Sequence, residues 1–235
     1  MPDLSHSAGE IISYLEMCQS WSASLQKGMN FHLRPPCSVI LMSRRPNAPY
    51  RDSIEDEGRV IIYEGHDVPR RQGQPDPKIL DQSRTTPAGA LTQNGLFEQA
   101  ALRFRRGAGE PESVAVYEKI RDGIWAFNGM FKLTDAWVES DSRRKVFKFR
   151  LEIILEGPAF ELDLRAALDH SRVIPSVVKL EVWKRDRGCC VLCGEPDNLH
   201  FDHDLPYSKG GTSLSAKNIR LLCARHNLSK SDKIQ

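Results

Sequence analysis

Two pairs of chelating residues constrain this chain more than any other feature. They are Cys190-x2-Cys193 and Cys223-x2-His226, with 29 residues between them. Each pair can grip a tetrahedral ion from one tight turn, and Cys3His is an ordinary structural zinc set. Cys189 adjoins Cys190, but only Cys190 has the two-residue spacing to Cys193. Four of the six cysteines lie in the last 47 residues, while Cys18 and Cys37 stand apart and read as small buried side chains. The start, MPDLSHSAGE, has neither the basic flank nor the apolar run of a secretory signal. No apolar stretch approaches the ~18–20 residues of a membrane span. The expected setting is therefore cytoplasmic, with no membrane partner, where clustered cysteines point to metal and not to disulfides. Four protein ligands leave no open position, so the Zn2+ is expected to be structural. A segment this short buries little core and needs such a staple.

Between the two pairs lies His200-Phe201-Asp202-His203. As a strand, LHFDH would send His200 and Asp202 to one face and Phe201 and His203 to the other. A bend before Leu205-Pro206 would let Asp202 and His203 share a site. Aspartate is a hard ligand for a divalent cation, and histidine can take a proton from water near neutral pH. Metal-assisted phosphodiester hydrolysis uses these two groups. Charge agrees with a nucleic-acid partner: residues 172–235 hold 11 basic and 7 acidic side chains, a net of +4, while the whole chain carries +2.

This segment resembles the HNH (ββα-metal) nuclease family. The pattern DH…N…HN-x2-K is met by Asp202-His203, Asn218, His226-Asn227 and Lys230, with a matching SKGGTS loop and NIRLLC run. The resemblance implies that His203 is the general base and that Asp202 and Asn227 bind Mg2+ or a similar ion. It implies that Asn218 braces the loop carrying His203, that Lys230 approaches the phosphate, and that His200 is a helper. Cys-x2-His stands where many members have Cys-x2-Cys, which keeps a valid zinc set.

The first two-thirds reads as β-rich. Residues 9–27 suit one amphipathic helix or two short ones, 37–43 and 59–65 read as strands, and 44–58 as turns. Residues 66–90 read as a long loop, of the kind that is usually functional. Residues 93–105 look helical, with strands at 113–120, 124–140 and 144–155 and a turn signal at Asn128-Gly129. A connecting helix is expected at 161–172. Another should begin with Pro175 in its first turn and stop at Gly188.

Three pieces of this region resemble, in order, the SRA (SET- and RING-associated) fold, which reads modified cytosine. APYRDSIEDEGRVIIYEG (48–65) resembles its pocket segment. DQSRTTPAGALTQNGLFEQA (81–100) resembles its Asp-Gln…Asn helix region. Phe127-Asn128-Gly129 stands in place of its Tyr-Asp-Gly turn. The resemblance implies a flipped-base pocket in which Tyr50 and Tyr63 sandwich the base and Asp52 accepts from the cytosine amino group, with Gly65 closing the pocket segment.

The expected fold class is α+β: an SRA-like curved β-barrel or sheet with helices over 1–160, a linker helix over 161–174, and a small HNH domain with structural zinc over 175–235. The expected activity is that of a modification-dependent restriction endonuclease, type IV/IIM-like, cutting double-stranded DNA that carries 5-methylcytosine. Cutting both strands needs two active sites, which implies a homodimer or two monomers meeting on DNA. Two other functions fit the same residues: an HNH endonuclease whose front domain reads sequence or DNA shape, and a non-catalytic reader with the zinc unit as a clamp.

Overall fold

The computed structural model describes residues 6–34, 37–45, 48–70, 72–141, 143–154, 173–205 and 211–230. Its larger part is an eight-stranded sheet. The strands are β1 (Ile11–Ser13), β2 (Met29–Arg34), β3 (Cys37–Met42), β4 (Ser53–Glu55), β5 (Val60–Glu64), β6 (Glu112–Arg121), β7 (Ile124–Ser140) and β8 (Lys145–Ile153). The path runs β2-β3-β6-β7-β8-β5-β4, with β1 paired to β7 outside it. Among the described residues only β3 and β6 run parallel; the other pairings are antiparallel. The expected α+β class and the strands near 37–43, 59–65, 113–120 and 144–155 are all present.

Two helices cover opposite faces of this sheet. Helix α2 (Gln93–Arg105) starts at Thr92, whose hydroxyl accepts from Gly95 N–H. It buries Phe97 and Ala101 with Val114 and Val116 of β6. Helix α1 (Tyr14–Trp21) packs Met17 and Trp21 against Ala115 and Tyr117. The alternation along β6 assigns the two helices to its two sides. Trp21 also donates its indole N–H to the Tyr117 hydroxyl at 3.0 Å, so its one polar atom is satisfied in the core.

The N-terminal helix is shorter than the apolar spacing over 9–27 suggests. Ser13 and Glu16 form a capping box that starts it at Tyr14, and Ser22 stops it in the left-handed region at φ 49°. Residues Ile11–Ser13, which end on the first residue of the box, pair with Ala126–Ile124 as strand β1. Strands β2 and β4 were not anticipated: Met29–Arg34 breaks strict alternation at a bulge, and Ser53–Glu55 is too short to stand out among turn residues.

Asn128-Gly129 is no hairpin turn, contrary to the turn signal there. Strand β7 runs unbroken for 17 residues, and its register against β6 shifts between Val116–Gly129 and Tyr117–Phe127. Asn128 is the extra residue of a bulge, and Gly129 absorbs the irregularity at φ 109°. A turn dipeptide serves a bulge equally well, because both need a residue at ease with positive φ.

The C-terminal lobe holds α3 (Ser176–Arg185), the antiparallel pair β9 (Leu199–His203) and β10 (Ile219–Cys223), and α4 (Ala224–Lys230). Pro175 is the N-cap of α3, one position before the expected first turn, and Gly188 comes after its end at φ 65°. The lobe shares a core with the large sheet: Ile120 and Ala126 pack in one cluster with Val178, Val182, Leu199 and Leu221. Between the two sheets, Gly9 N–H donates to Phe127 O at 2.8 Å and Gly9 O accepts from Phe201 N–H at 3.1 Å. The N-terminal residues thus strap β7 to β9. The expected linker helix at 161–172 lies outside the described residues. Among the described residues, no helix is long and apolar enough to cross a membrane.

Candidate functional site

The ββα unit brings the four chelating side chains together. Cys223 ends β10 and His226 lies three residues on in α4, so both face the same side of the helix start. Cys190 and Cys193 sit on a turn closed by Gly194 N–H to Cys190 O at 2.8 Å, with Gly194 at φ 76°. Val191 N–H donates to Leu221 O and ties this turn to β10. The four ligand atoms lie within 4.8 Å of one another. Cys193 Sγ is 3.8 Å from Cys223 Sγ, and His226 Nδ1 is 3.4 Å from Cys190 Sγ and 3.3 Å from Cys223 Sγ. Tetrahedral zinc with bonds of about 2.3 Å to sulfur and 2.0 Å to nitrogen separates sulfurs by about 3.8 Å and sulfur from nitrogen by about 3.5 Å. The donor set fits that ion. Burial pushes the Cys190 thiol up, but backbone donors and His226 outweigh it and bring it to about 6, toward the thiolate a metal needs. Cys189 stays outside the set and donates to Arg187 O.

Asp202, His203 and Asn227 line one cleft of about 250 Å³. Consecutive strand residues should face apart, and the end of β9 at His203 removes that constraint. Asn218 shapes the chain just beyond His203. Its Oδ1 accepts from Leu205 N–H at 2.8 Å, and its Nδ2 donates to Leu205 O at 2.9 Å and Thr212 O at 3.1 Å. One half-buried amide therefore joins Leu205 to Thr212. Ser213 Oγ lies 2.8 Å from His203 Nε2 and orients the ring. Asp202 stands opposite Arg220, whose Nε is 3.8 Å from its carboxylate.

His200 is placed elsewhere. It is buried, it bridges to Glu10, and its Nδ1 has no hydrogen-bond partner. Burial lowers its pKa, and it is not among the residues that line the cleft. Lys230 ends α4, and its side chain lies outside the described residues. Ser213 escaped the sequence reading, although it lies in the SKGGTS loop already singled out. Lys179 and Asn128, which also line the cleft, carried no sequence signal for it.

The expected base pocket is arranged differently from its sequence reading. Tyr63 is 1% exposed and belongs to the core, so it presents no ring face to a base. Its hydroxyl lies 3.1 Å from His66 Nε2. His66, not Tyr63, stacks on Tyr50, at 5.4 Å and 17°. That spacing leaves no room for a third ring between them. Asp52 is committed to the backbone: its two carboxylate oxygens accept from Ser43 N–H at 3.2 Å and Glu64 N–H at 3.0 Å. Burial pushes its carboxyl up to about 7 despite those donors. Gly65 is a true close approach, since a Cβ there would meet Asn94 Oδ1, Gln82 Oε1 and Phe147 within 2.9 Å.

A cavity of about 940 Å³ opens beside the two residues after Gly65, with His66, Asp67, Lys27, Asn94 and Leu91 in its wall. Asn94 locks His66 from both sides, accepting from its N–H and donating to its C=O, each at 2.8 Å. Burial pulls the His66 imidazole down to about 4, so the ring is neutral at pH 7. Beneath it, Arg144 pairs with Asp67 and Glu64, and Lys148 pairs with Glu64 at 3.1 Å, all four nearly sealed from solvent. Neither Tyr50 nor Tyr63 lines the cavity; both touch His66, and the Tyr50 hydroxyl also accepts from Asp67 N–H at 3.5 Å. The hint in the sequence was the position of His66 directly after the Tyr-x-Gly segment.

Comparison with known proteins bears on the two halves unequally. Residues 190–233 match a protein-family model described as HNH endonuclease. Among solved structures, the chain is similar to the SRA domain of SUVH5 in complex with fully methylated CG DNA. The identity is 19% and the TM-score 0.46, over 67% of this chain and 95% of that one. It is similar to SUVH5 SRA bound to fully hydroxymethylated CG DNA, at 19% identity and TM-score 0.45 over 67% and 95%. A third is KRYPTONITE in complex with mCHH DNA, H3(1-15) peptide and SAH, at 16% identity and TM-score 0.42 over 65% of this chain and 32% of that one. No curated protein matches the chain. The Cys3His cluster, the β9–β10–α4 order and the side chains of Asp202, His203 and Asn227 all fall inside the segment that matches the HNH endonuclease model.

Proposed function

We propose that the chain is a modification-dependent DNA endonuclease. Its N-terminal domain, residues 1–160, takes 5-methylcytosine or a close relative out of the duplex. Its C-terminal domain, residues 175–235, hydrolyses nearby phosphodiester bonds. The observation that carries this reading is the cleft in which Asp202, His203 and Asn227 meet beside the Cys3His cluster.

In that cleft His203 takes a proton from the attacking water. Ser213 holds the imidazole at Nε2, and Asn218 keeps the loop bent so that His203 and Asp202 face the same phosphate. Asp202 and Asn227 offer a carboxylate and an amide oxygen, hard donors that suit a divalent cation such as Mg2+. Bound there, the cation supplies Lewis-acid stabilisation of phosphate charge. Lys230 approaches the phosphate from the end of α4. Zinc on Cys190, Cys193, Cys223 and His226 holds the two strands to the helix and takes no part in the reaction.

For recognition, the neutral His66 ring on Tyr50, with Asp67 and Asn94, forms the polar end of a cavity large enough for an extruded base. The three SRA-like pieces in chain order support the same assignment. Two copies act together as a homodimer or meet on DNA to cut both strands, in the cytoplasm. The test is cleavage of a plasmid carrying 5-methylcytosine beside its unmethylated twin, with wild type and His203→Ala. Cutting of the methylated plasmid alone, lost in the variant, is the expected result. Equal cutting of both plasmids would remove the modified-base pocket and keep the nuclease.

A further inference from the structure

Helix α2 leads away from the base cavity into a second groove. Gln93 and Asn94, at the start of the helix, stand in the cavity wall. Leu91 lines both that cavity and a groove of about 730 Å³ that follows the helix. Gln99, Arg103 and Arg106 line the groove at spacings of four and three residues, so they form one ridge. Glu98 is the one acid among the described residues of the lining, and Arg84 takes up its carboxylate with two N–H groups. The far side holds the exposed imidazole of His32, which lies 2.8 Å from the buried Glu112 carboxylate. Arg103 and Arg106 are both exposed. Arg105, between them in sequence, turns to Asp135 of β7 at 2.9 Å. A cation at a helix C-terminus offsets the dipole, and Arg105 already serves that need. The other two arginines add positive charge to a concave, solvent-open face whose acid is neutralised.

We propose that this groove carries the DNA strand that flanks the extruded base, with Arg103 and Arg106 on its phosphates. Charge complementarity names the occupant, and the guanidinium fork suits phosphate oxygens. The helix also sets a distance. Arg103 and Arg106 follow Asn94 by nine and twelve residues. At about 1.5 Å per residue they stand about 14 and 18 Å along the axis from the cavity wall. One strand of a duplex advances about 3.4 Å per nucleotide, so the contacted phosphates lie about four and five nucleotides from the extruded base. The proposal rests on the base-extrusion reading above.

The test uses the full chain and a duplex with one 5-methylcytosine, with binding measured over a salt series in the absence of divalent ions. Arg103→Gln and Arg106→Gln should each make the slope of log affinity against log salt shallower by about 0.9, and the double variant by about 1.8. Glutamine keeps the helix propensity at these exposed positions, so the variants should fold as wild type does. Arg105→Gln should keep the wild-type slope. A neutral methylphosphonate about four or five nucleotides from the modified base should weaken wild-type binding and leave the double variant unaffected. A folded double variant with the wild-type slope overturns the proposal. So does a methylphosphonate effect that is equal at every position, since it would detach the groove from the cavity. The base-extrusion reading fails by a different result: equal wild-type affinity for the methylated duplex and its unmethylated twin. In that case the slope of the double variant on either duplex still decides whether the groove meets phosphate.

Discussion

The Cys3His cluster and the Asp202–His203–Asn227 set draw every side chain from residues 190–227. The cavity beside His66 gathers Lys27, His66, Leu91 and Asn94 from separate segments and rests on pairs such as Arg144–Asp67, 77 residues apart. The first region is organised by short-range geometry: a turn, a hairpin and the first turn of a helix. The second depends on which strands become neighbours and which rings reach the core first. A change in the first region should therefore act through one ligand or one catalytic atom. A change in the second should spread through a buried network.

The sharpest way to break this contrast is His203→Ala. It removes the base and nothing from the core, so cleavage should drop by about 10² to 10⁴-fold with unchanged melting temperature and DNA binding. A large loss of stability instead would show that the cleft is as entangled with the fold as the pocket is. Chelation of zinc, or Cys193→Ser, comes next. Loss of ββα structure by circular dichroism should accompany release of about one zinc per chain. Because Ile120 and Ala126 share a core with that unit, the melting temperature of the large sheet should also fall. Unchanged melting of the rest would make the shared core unimportant.

Substitutions of the three stacked or buried rings sharpen the pocket side. Tyr63→Ala should destabilise by about 3–5 kcal/mol in chemical denaturation, as expected for a fully buried aromatic. His66→Ala should lower the preference for modified DNA while leaving unmodified binding intact. Tyr50→Leu should do the same more weakly, since Tyr50 acts by stacking on His66. If Tyr63→Phe alone removed the preference, Tyr63 would be a reader and its core position secondary.

The smallest effect is one of pH. Asp52 is raised to about 7 by burial, so the folded chain holds a proton that the unfolded chain has released above about pH 4. Its contribution to stability is complete at low pH and is lost as pH rises toward 7. His66, lowered to about 4 from an ordinary value near 6.5, acts with the opposite sign: its contribution is present above 6.5 and is lost as pH falls toward 4. Between about pH 4 and 6.5 the two oppose each other. Melting temperature against pH should therefore be nearly flat over that window where these two groups dominate. His66→Gln should leave a fall with rising pH, and Asp52→Asn a rise. Matching slopes in the two variants would show that these groups do not titrate as a balanced pair.

Much of the second region was readable only as a set of strands. The apolar run at 37–43 and the alternation over 144–155 announce sheet, because side-chain period alone specifies it. Nothing in the spacing of Tyr50 and Tyr63 says which ring faces solvent. That choice comes from the pairing of β5 with β8, where Tyr63 stands opposite Phe149 and is drawn into the core. Asn128-Gly129 was legible as a place for positive φ, yet a turn and a bulge make the same local demand.

The sequence by itself marked out the four chelating residues that the fold brings together, the adjacent Asp202 and His203, and Asn218. Two-residue chelate spacing and a strand–strand–helix order leave such residues few other arrangements. Only the tertiary structure decided that His66 and not Tyr63 meets the cavity, that Asp52 is a buried brace, and that residues 7–13 bind β7 to β9. The same holds for Lys179, which is buried on a charge pair with Glu118, 61 residues away. These outcomes depend on competition among distant segments for a shared core and for shared hydrogen-bond partners, and no local window of sequence contains both competitors.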